Sequence, residues 1–183
     1  MPCYSLDGIR PLVDAEAFVH PSAVLIGQVT VGARCYIGPG ASLRGDFGRV
    51  TIRAGANVQD QCVLHCFPDQ EVLLEEDAHI GHAAVLHGCV IQRNALVGIQ
   101  AVVLDGAVVG ADSIVGAGSL VPAHLVIPPR KLAIGAPCRI VADLNYEQLR
   151  DKERGTALYQ ALSQRCRTGL VQCEPERPGA RDR

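Results

Sequence analysis

Apolar positions along this chain recur every six residues. Val103, Val109, Val115 and Val121 stand six apart, and the same register carried toward the N-terminus meets Val97, Ile91, Leu86, Ile80, Leu74, Leu64, Val58, Ile52, Leu43, Ile37, Val31, Leu25 and Val19. Only three steps break the count: Leu43 to Ile52 adds three residues, Leu64 to Leu74 adds four, and Leu86 to Ile91 drops one. Four residues after an anchor the side chain is usually small, as at Ala23, Cys35, Ala56, Cys62, Ala84 and Ser113, and glycine often follows the anchor directly, as at Gly38, Gly81 and Gly98. A helix repeats at 3.6 residues and a flat strand at two. A strict six fits neither, and predicts short strands separated by tight corners.

This pattern is the hexapeptide repeat of the parallel β-helix, in which each repeat forms one side of a coil and stacked coils bury a continuous aliphatic core. The resemblance to hexapeptide-repeat proteins spans about residues 15–140 and implies an all-β fold, a left-handed parallel β-helix with three repeats per coil. Seventeen anchors predict between five and six coils, a prism roughly 25 Å tall at about 4.8 Å per rung. Pro122, Pro128 and Pro129 signal its end, since proline cannot donate to the ladder. Beyond Asp143, Asn145 followed three residues later by Gln148 reads as a capping box. Leu158, Ala161, Leu162, Arg165, Cys166 and Leu170 then recur at helical spacing, an apolar stripe expected to lie against the prism. The predicted organisation is a β-helix over 1–142, a C-terminal helix over 143–173 and a disordered tail over 174–183.

Composition narrows the function classes. The formal charge is -2, with 17 basic and 19 acidic side chains, which gives no footing for nucleic acid. Small molecules and further copies of the chain are the expected partners. The eight cysteines accompany an N-terminus without the regions of a secretory signal, so reduced thiols and a cytoplasmic location are expected. Cys62 and Cys66 are the closest-spaced pair, and small side chains filling tight corners account for them better than a zinc site. No apolar run reaches the roughly 18 residues of a membrane span.

The histidines carry the candidate chemistry. With repeats three apart stacked on one face, His65 and His87 each follow their anchor by one residue and occupy the same slot in adjacent coils, with Arg44 one coil further along. Asp60 and His82 form a second column on the neighbouring face. Two imidazoles on adjacent rungs can share one cation, whereas His82 diverges across a corner. Three prisms packed side by side would bring His82 of one subunit against His65 and His87 of the next. Zinc suits three imidazoles with one open position, where its bound water ionises near pH 7; iron or cobalt would accept the same ligands. His20, His79 and His124 fall outside this constellation.

The segments LRGDFG, NVQDQCVLH and HIGHAAVLHGC, in that order and spacing, resemble the γ-class carbonic anhydrase family. The resemblance implies a homotrimer with zinc bound by His65, His82 and His87 at the subunit interface and Gln59 hydrogen-bonded to the metal-bound water. It also implies an interface network of Arg44, Asp46 and Asp60 with Asn57 nearby; for Arg44 and Asp46 a purely structural role fits equally. MPCYSLDGIRPLV, FVHPSAVLIG, LRGDFGRV and EQLRDKERGTALYQALSQRC resemble the branch of phenylacetic-acid degradation and carnitine-operon proteins. That branch implies a zinc-dependent thioesterase acting on (hydroxy)phenylacetyl-CoA thioesters. Tyr159 either reaches the zinc cleft of a neighbour or lies on the prism wall. Acidic insertion loops that would shuttle protons are missing, which counts against rapid CO2 hydration. The expected function is therefore a metal-dependent acyl-CoA hydrolase, with γ-type carbonic anhydrase and hexapeptide acyltransferase as alternatives.

Overall fold

The six-residue register resolves into three ladders of parallel pairs in a computed structural model that describes residues 3–176. The first wall stacks Leu25, Leu43, Leu64, Leu86, Val103 and Val121 in direct register. The second stacks Val13, Val31, Ile52, Leu74, Ile91, Val109 and Ile127. The third stacks Val19, Ile37, Val58, Ile80, Val97, Val115 and Ala133. Every anchor from Leu25 to Val121 is buried, and Val19 is partly so. The molecule is a parallel β-solenoid whose hexapeptide repeats indicate the left-handed β-helix. Its third wall is seven rungs deep, one more than the five to six coils expected, for a height of about 29 Å. The added rung comes from Ala133, where the chain resumes pairing after Pro128 and Pro129.

Most corners follow one rule. The residue three past the anchor takes the left-handed conformation, as at Arg34, Gln61, Asn94, Gln100 and Asp112. Even Ala83 does so, at φ 57°, where a β-carbon makes the conformation costly. The next residue is small and buried, from Ala23 to Ser119, because it points into the narrow apex of the triangle. Burial pushes the Cys35 thiol up to about 12 and that of Cys62 to about 11. All eight cysteines are free.

A hairpin of Lys131–Gly135 against Cys138–Asp143 closes the last rung. The helix α1, Tyr146–Gly169, then starts on Asn145, whose side chain and that of Gln148 form the capping box. It lies along the third wall against Phe18–Val19, Tyr36–Ile37 and Asn57–Val58. Its buried face is not the apolar stripe: Leu158 is 68% and Leu170 50% exposed, while Leu149, Lys152, Thr156 and Ser163 are buried. The wall presents backbone carbonyls at its corners, and the helix answers with donors. Ser163 Oγ donates to Cys35 O at 2.8 Å, Gln160 Nε2 to Gly55 O at 3.0 Å, and Lys152 Nζ to Asp77 O at 2.9 Å and to Asn94 Oδ1. Of the tail expected over 174–183, residues 174–176 lie outside helix and strand, and the rest falls outside the described residues.

Candidate functional site

All three breaks in the six-residue count fall at one corner, where the first wall turns into the second. The added residues after Leu43 and Leu64 push Asp46, Phe47 and Phe67 out beside His65 and His87. These two histidines are direct register partners on Val63–His65 and Val85–His87, with His65 Nδ1 3.2 Å from His87 Nε2. His87 Nδ1–H donates to Asp105 Oδ1 at 2.6 Å, which leaves its Nε2 lone pair facing His65. On the far side of His65, Arg44 Nη2 and Asp46 Oδ1 each lie 3.0 Å from Nε2, and Arg44 Nε is 3.4 Å from Asp46 Oδ2. The Phe47 and Phe67 rings stand 5.4 and 4.8 Å from those of His65 and His87.

The third wall carries a different cluster. His82 Nδ1 lies 3.0 Å from Asp60 Oδ2, and its Nε2 lies 3.4 Å from the Tyr159 hydroxyl. Gln59 is 3% exposed; its amide nitrogen donates to Asn57 Oδ1 at 3.1 Å and to His79 Nε2 at 2.7 Å. His79 in turn donates from Nδ1 to Thr156 Oγ1 on α1 at 3.2 Å. Burial, with the Lys152 charge second, lowers His79 to about 4. Burial also raises the Tyr159 phenol, and Asp60 adds to it. His82, Gln59, His79 and Tyr159 form the head of an apolar groove that continues past Leu96 and Ile114.

Zinc at the first cluster meets a partial fit. Tetrahedral bonds of about 2.0–2.1 Å set neighbouring donors about 3.3–3.4 Å apart, close to the 3.2 Å between His65 Nδ1 and His87 Nε2. Asp105 orients His87 as carboxylates orient metal-bound imidazoles. His82 faces away on the third wall with Asp60 and Tyr159, so a single chain brings two of the three expected ligands together. Among the described residues no group of three His, Cys, Asp or Glu side chains is placed to hold a metal. The expected interface network divides the same way: Arg44 and Asp46 sit with His65, whereas Asp60 and Asn57 sit with His82 and Gln59.

Residues 88–123 match the bacterial transferase hexapeptide family (six repeats). A carnitine operon protein CaiE of Citrobacter koseri is 52% identical over 96% of this chain and 89% of the relative. A hexapeptide transferase family protein from Anaplasma phagocytophilum superposes with a TM-score of 0.87 at 31% identity, covering 92% of this chain and 98% of that one. The chain belongs to the hexapeptide-repeat transferase family. Within that family, a Bacillus cereus protein described as a candidate acetyltransferase superposes with a TM-score of 0.90 at 35% identity over 92% of this chain and 98% of that one. The resemblance to γ-class carbonic anhydrases and to phenylacetate degradation rests on the sequence segments alone. No helix among the described residues is long and apolar enough to cross a membrane.

Two members of these clusters escaped the sequence reading. Asp105 lies two past Val103, the anchor stacked on Leu86, so the repeat count already placed it one coil from His87. His79 occupies the outward slot that Asn57 and Leu96 fill on the rungs beside it. Its role shows only once α1 covers that slot, and nothing in the repeat announces which wall the helix takes.

Proposed function

We propose that this chain transfers an acyl group from a coenzyme A thioester to a small hydroxyl or amine acceptor, with His82 as the base. The observation that carries the reading is the Asp60–His82 pair at the head of an apolar groove. The Asp60 carboxylate, 3.0 Å from Nδ1, favours the tautomer with its proton on Nδ1, which leaves Nε2 as the lone pair that takes a proton, the arrangement of a general base. The acceptor oxygen or nitrogen attacks the thioester carbonyl carbon while His82 Nε2 removes its proton. The carbon–sulfur bond then breaks, and the departing thiolate recovers that proton from His82. Once the acceptor takes its place at Nε2, the Tyr159 hydroxyl, 3.4 Å from that atom, is free to donate to the carbonyl oxygen. Gln59 has its amide nitrogen turned to Asn57 and His79, so it shapes the head of the groove. Membership in a transferase family with an acetyltransferase-described relative supports this reading.

A second reading is kept by the 3.2 Å separation of His65 and His87. In it, His65 and His87 of one copy and His82 of another would hold zinc in a trimer, where the metal would supply a nucleophilic water for thioester hydrolysis. Product analysis separates the two. Incubation with an acyl-CoA panel and an added amine, read by mass spectrometry, yields acylated amine under the first reading, with loss in His82→Ala. Free acid as the sole product, with equal losses in His65→Ala, His82→Ala and His87→Ala, would overturn it in favour of hydrolysis.

A further inference from the structure

The outward slot before each third-wall anchor changes size from rung to rung. In register order it holds Phe18, Tyr36, Asn57, His79, Leu96 and Ile114. Phe18 and Tyr36 stack on adjacent rungs, with ring centroids 5.5 Å apart and planes inclined by 26°. The next rung carries Asn57, which has no ring, and the rung after it carries the imidazole of His79. Tyr36 and His79 therefore stand two rungs apart, about 10 Å, with a short side chain between them. The slot forms a notch one ring wide.

Tyr159 of α1 fills that notch. Its ring centroid lies 5.3 Å from that of Tyr36, tilted at 56°, and 5.4 Å from that of His79, at 88°, both inside the range that aromatic pairs favour. Each lip is held in turn. Tyr36 is 7% exposed and backed by Phe18, while His79 is bonded to Gln59 Nε2 at 2.7 Å and to Thr156 Oγ1 at 3.2 Å. The floor, Asn57, is buried and accepts the other Gln59 N–H at 3.1 Å. The helix itself gives the ring little to lean on. Four residues before Tyr159, where a helical neighbour would pack against it, stands Gly155. A tyrosine ring is free to turn about two torsions, so it is the wall that leaves this one a single orientation, with its hydroxyl 3.4 Å from His82 Nε2.

We infer that Tyr36 is a positioning residue of the transfer site: with Asn57 and His79 it forms the notch that fixes the Tyr159 ring and so aims its hydroxyl. The inference rests on the acyl-transfer reading, in which that hydroxyl donates to the thioester carbonyl oxygen, and it adds a residue that acts only through Tyr159. Because α1 carries the ring and the wall carries the notch, docking of the helix and completion of the site are one event.

A double-mutant cycle on the full chain tests this. Tyr36→Leu should lower kcat for acyl transfer about tenfold, as displacement of a catalytic group by a fraction of an ångström does, with KM within about twofold. Tyr36→Phe, which keeps the ring, should restore the rate. In a Tyr159→Phe background Tyr36→Leu should cost nothing further, since the hydroxyl it aims is gone. Equal losses in the two backgrounds would assign Tyr36 to the fold alone and overturn the inference. A second measurement needs neither turnover nor a variant. The chain has 4 tyrosines, so ring-labelled tyrosine resolves Tyr159 by NMR, and the wild type should show Overhauser contacts from that ring to both Tyr36 and His79. A Tyr159 ring without those contacts, or one whose signals do not move in Tyr36→Leu, overturns the notch. Contacts present in a wild type that transfers no acyl group leave the notch standing and remove the acyl-transfer reading. Transfer without the contacts does the reverse.

Discussion

Two imidazole clusters stand on walls of the same prism, built from the same six-residue repeat, and they differ in almost every physical respect. At the corner of the first and second walls, His65 and His87 sit among Arg44, Asp46 and Asp105 under a rim of exposed Phe47 and Phe67. On the third wall, His82 heads an apolar groove, and His79 is buried beneath α1. The first cluster exists because the repeat is broken there: added residues after Leu43 and Leu64 reach out and fold back over the histidines. The second exists because the repeat is unbroken, so that a helix lies flat beside it. Insertions gather charge, and regularity leaves a groove.

The comparison is broken most sharply by single histidine removals. His82→Ala is expected to lower kcat/KM for acyl transfer by about 10²–10⁴-fold, and His87→Ala by less than tenfold, measured on the same acyl-CoA; equal losses would merge the two clusters into one site. The next effect concerns stability. His79 is held at about 4 against an ordinary 6.5, so the fold favours its neutral form. Its contribution is complete above pH 6.5 and is lost as pH falls through about 4, a loss of about 3 kcal/mol. Gln59, Thr156, Tyr159, His82 and Lys152 surround it, and none is a carboxylate that could hold the charged form. Urea denaturation at pH 7 and pH 4.5 should show that loss in the wild type and a smaller one in His79→Gln, with α1 releasing first. Asp60→Asn should cost on the order of 10²-fold in rate by freeing the His82 ring, while Asp105→Asn leaves transfer near wild type. Thr156→Val, which removes the partner of His79 Nδ1–H, should cost about 1 kcal/mol and lower Tm by about 2–4 °C without changing the rate at saturating substrate.

Much of this was legible in the chain. A period of six with branched aliphatic anchors allows one stacking, and it put His65 over His87 before any coordinates were needed, because same-slot residues three repeats apart must be neighbours. The start of the helix was legible too, through Asn145 and Gln148, whereas it ends at Gly169, short of the expected 173. The docking of the helix was not. Leu158, Ala161, Leu162 and Leu170 mark an apolar stripe, and burial of that stripe is the ordinary expectation. The prism wall offers carbonyl oxygens at Cys35, Gly55 and Asp77 instead, so Ser163, Gln160 and Lys152 face it. That information sits in the partner surface, outside the helix sequence. Lys152 is buried at some cost, and burial lowers it to about 8.

We propose that the His82 imidazole, paired with Asp60, serves acyl transfer as a base that requires no metal. The most direct measurement strips the protein with a chelator, verifies metal content by atomic emission, and follows transfer from an acyl-CoA to an amine. The account predicts a rate within twofold of the untreated protein and its loss in His82→Ala. A stripped protein that is inactive and recovers fully on addition of one zinc per chain would contradict it.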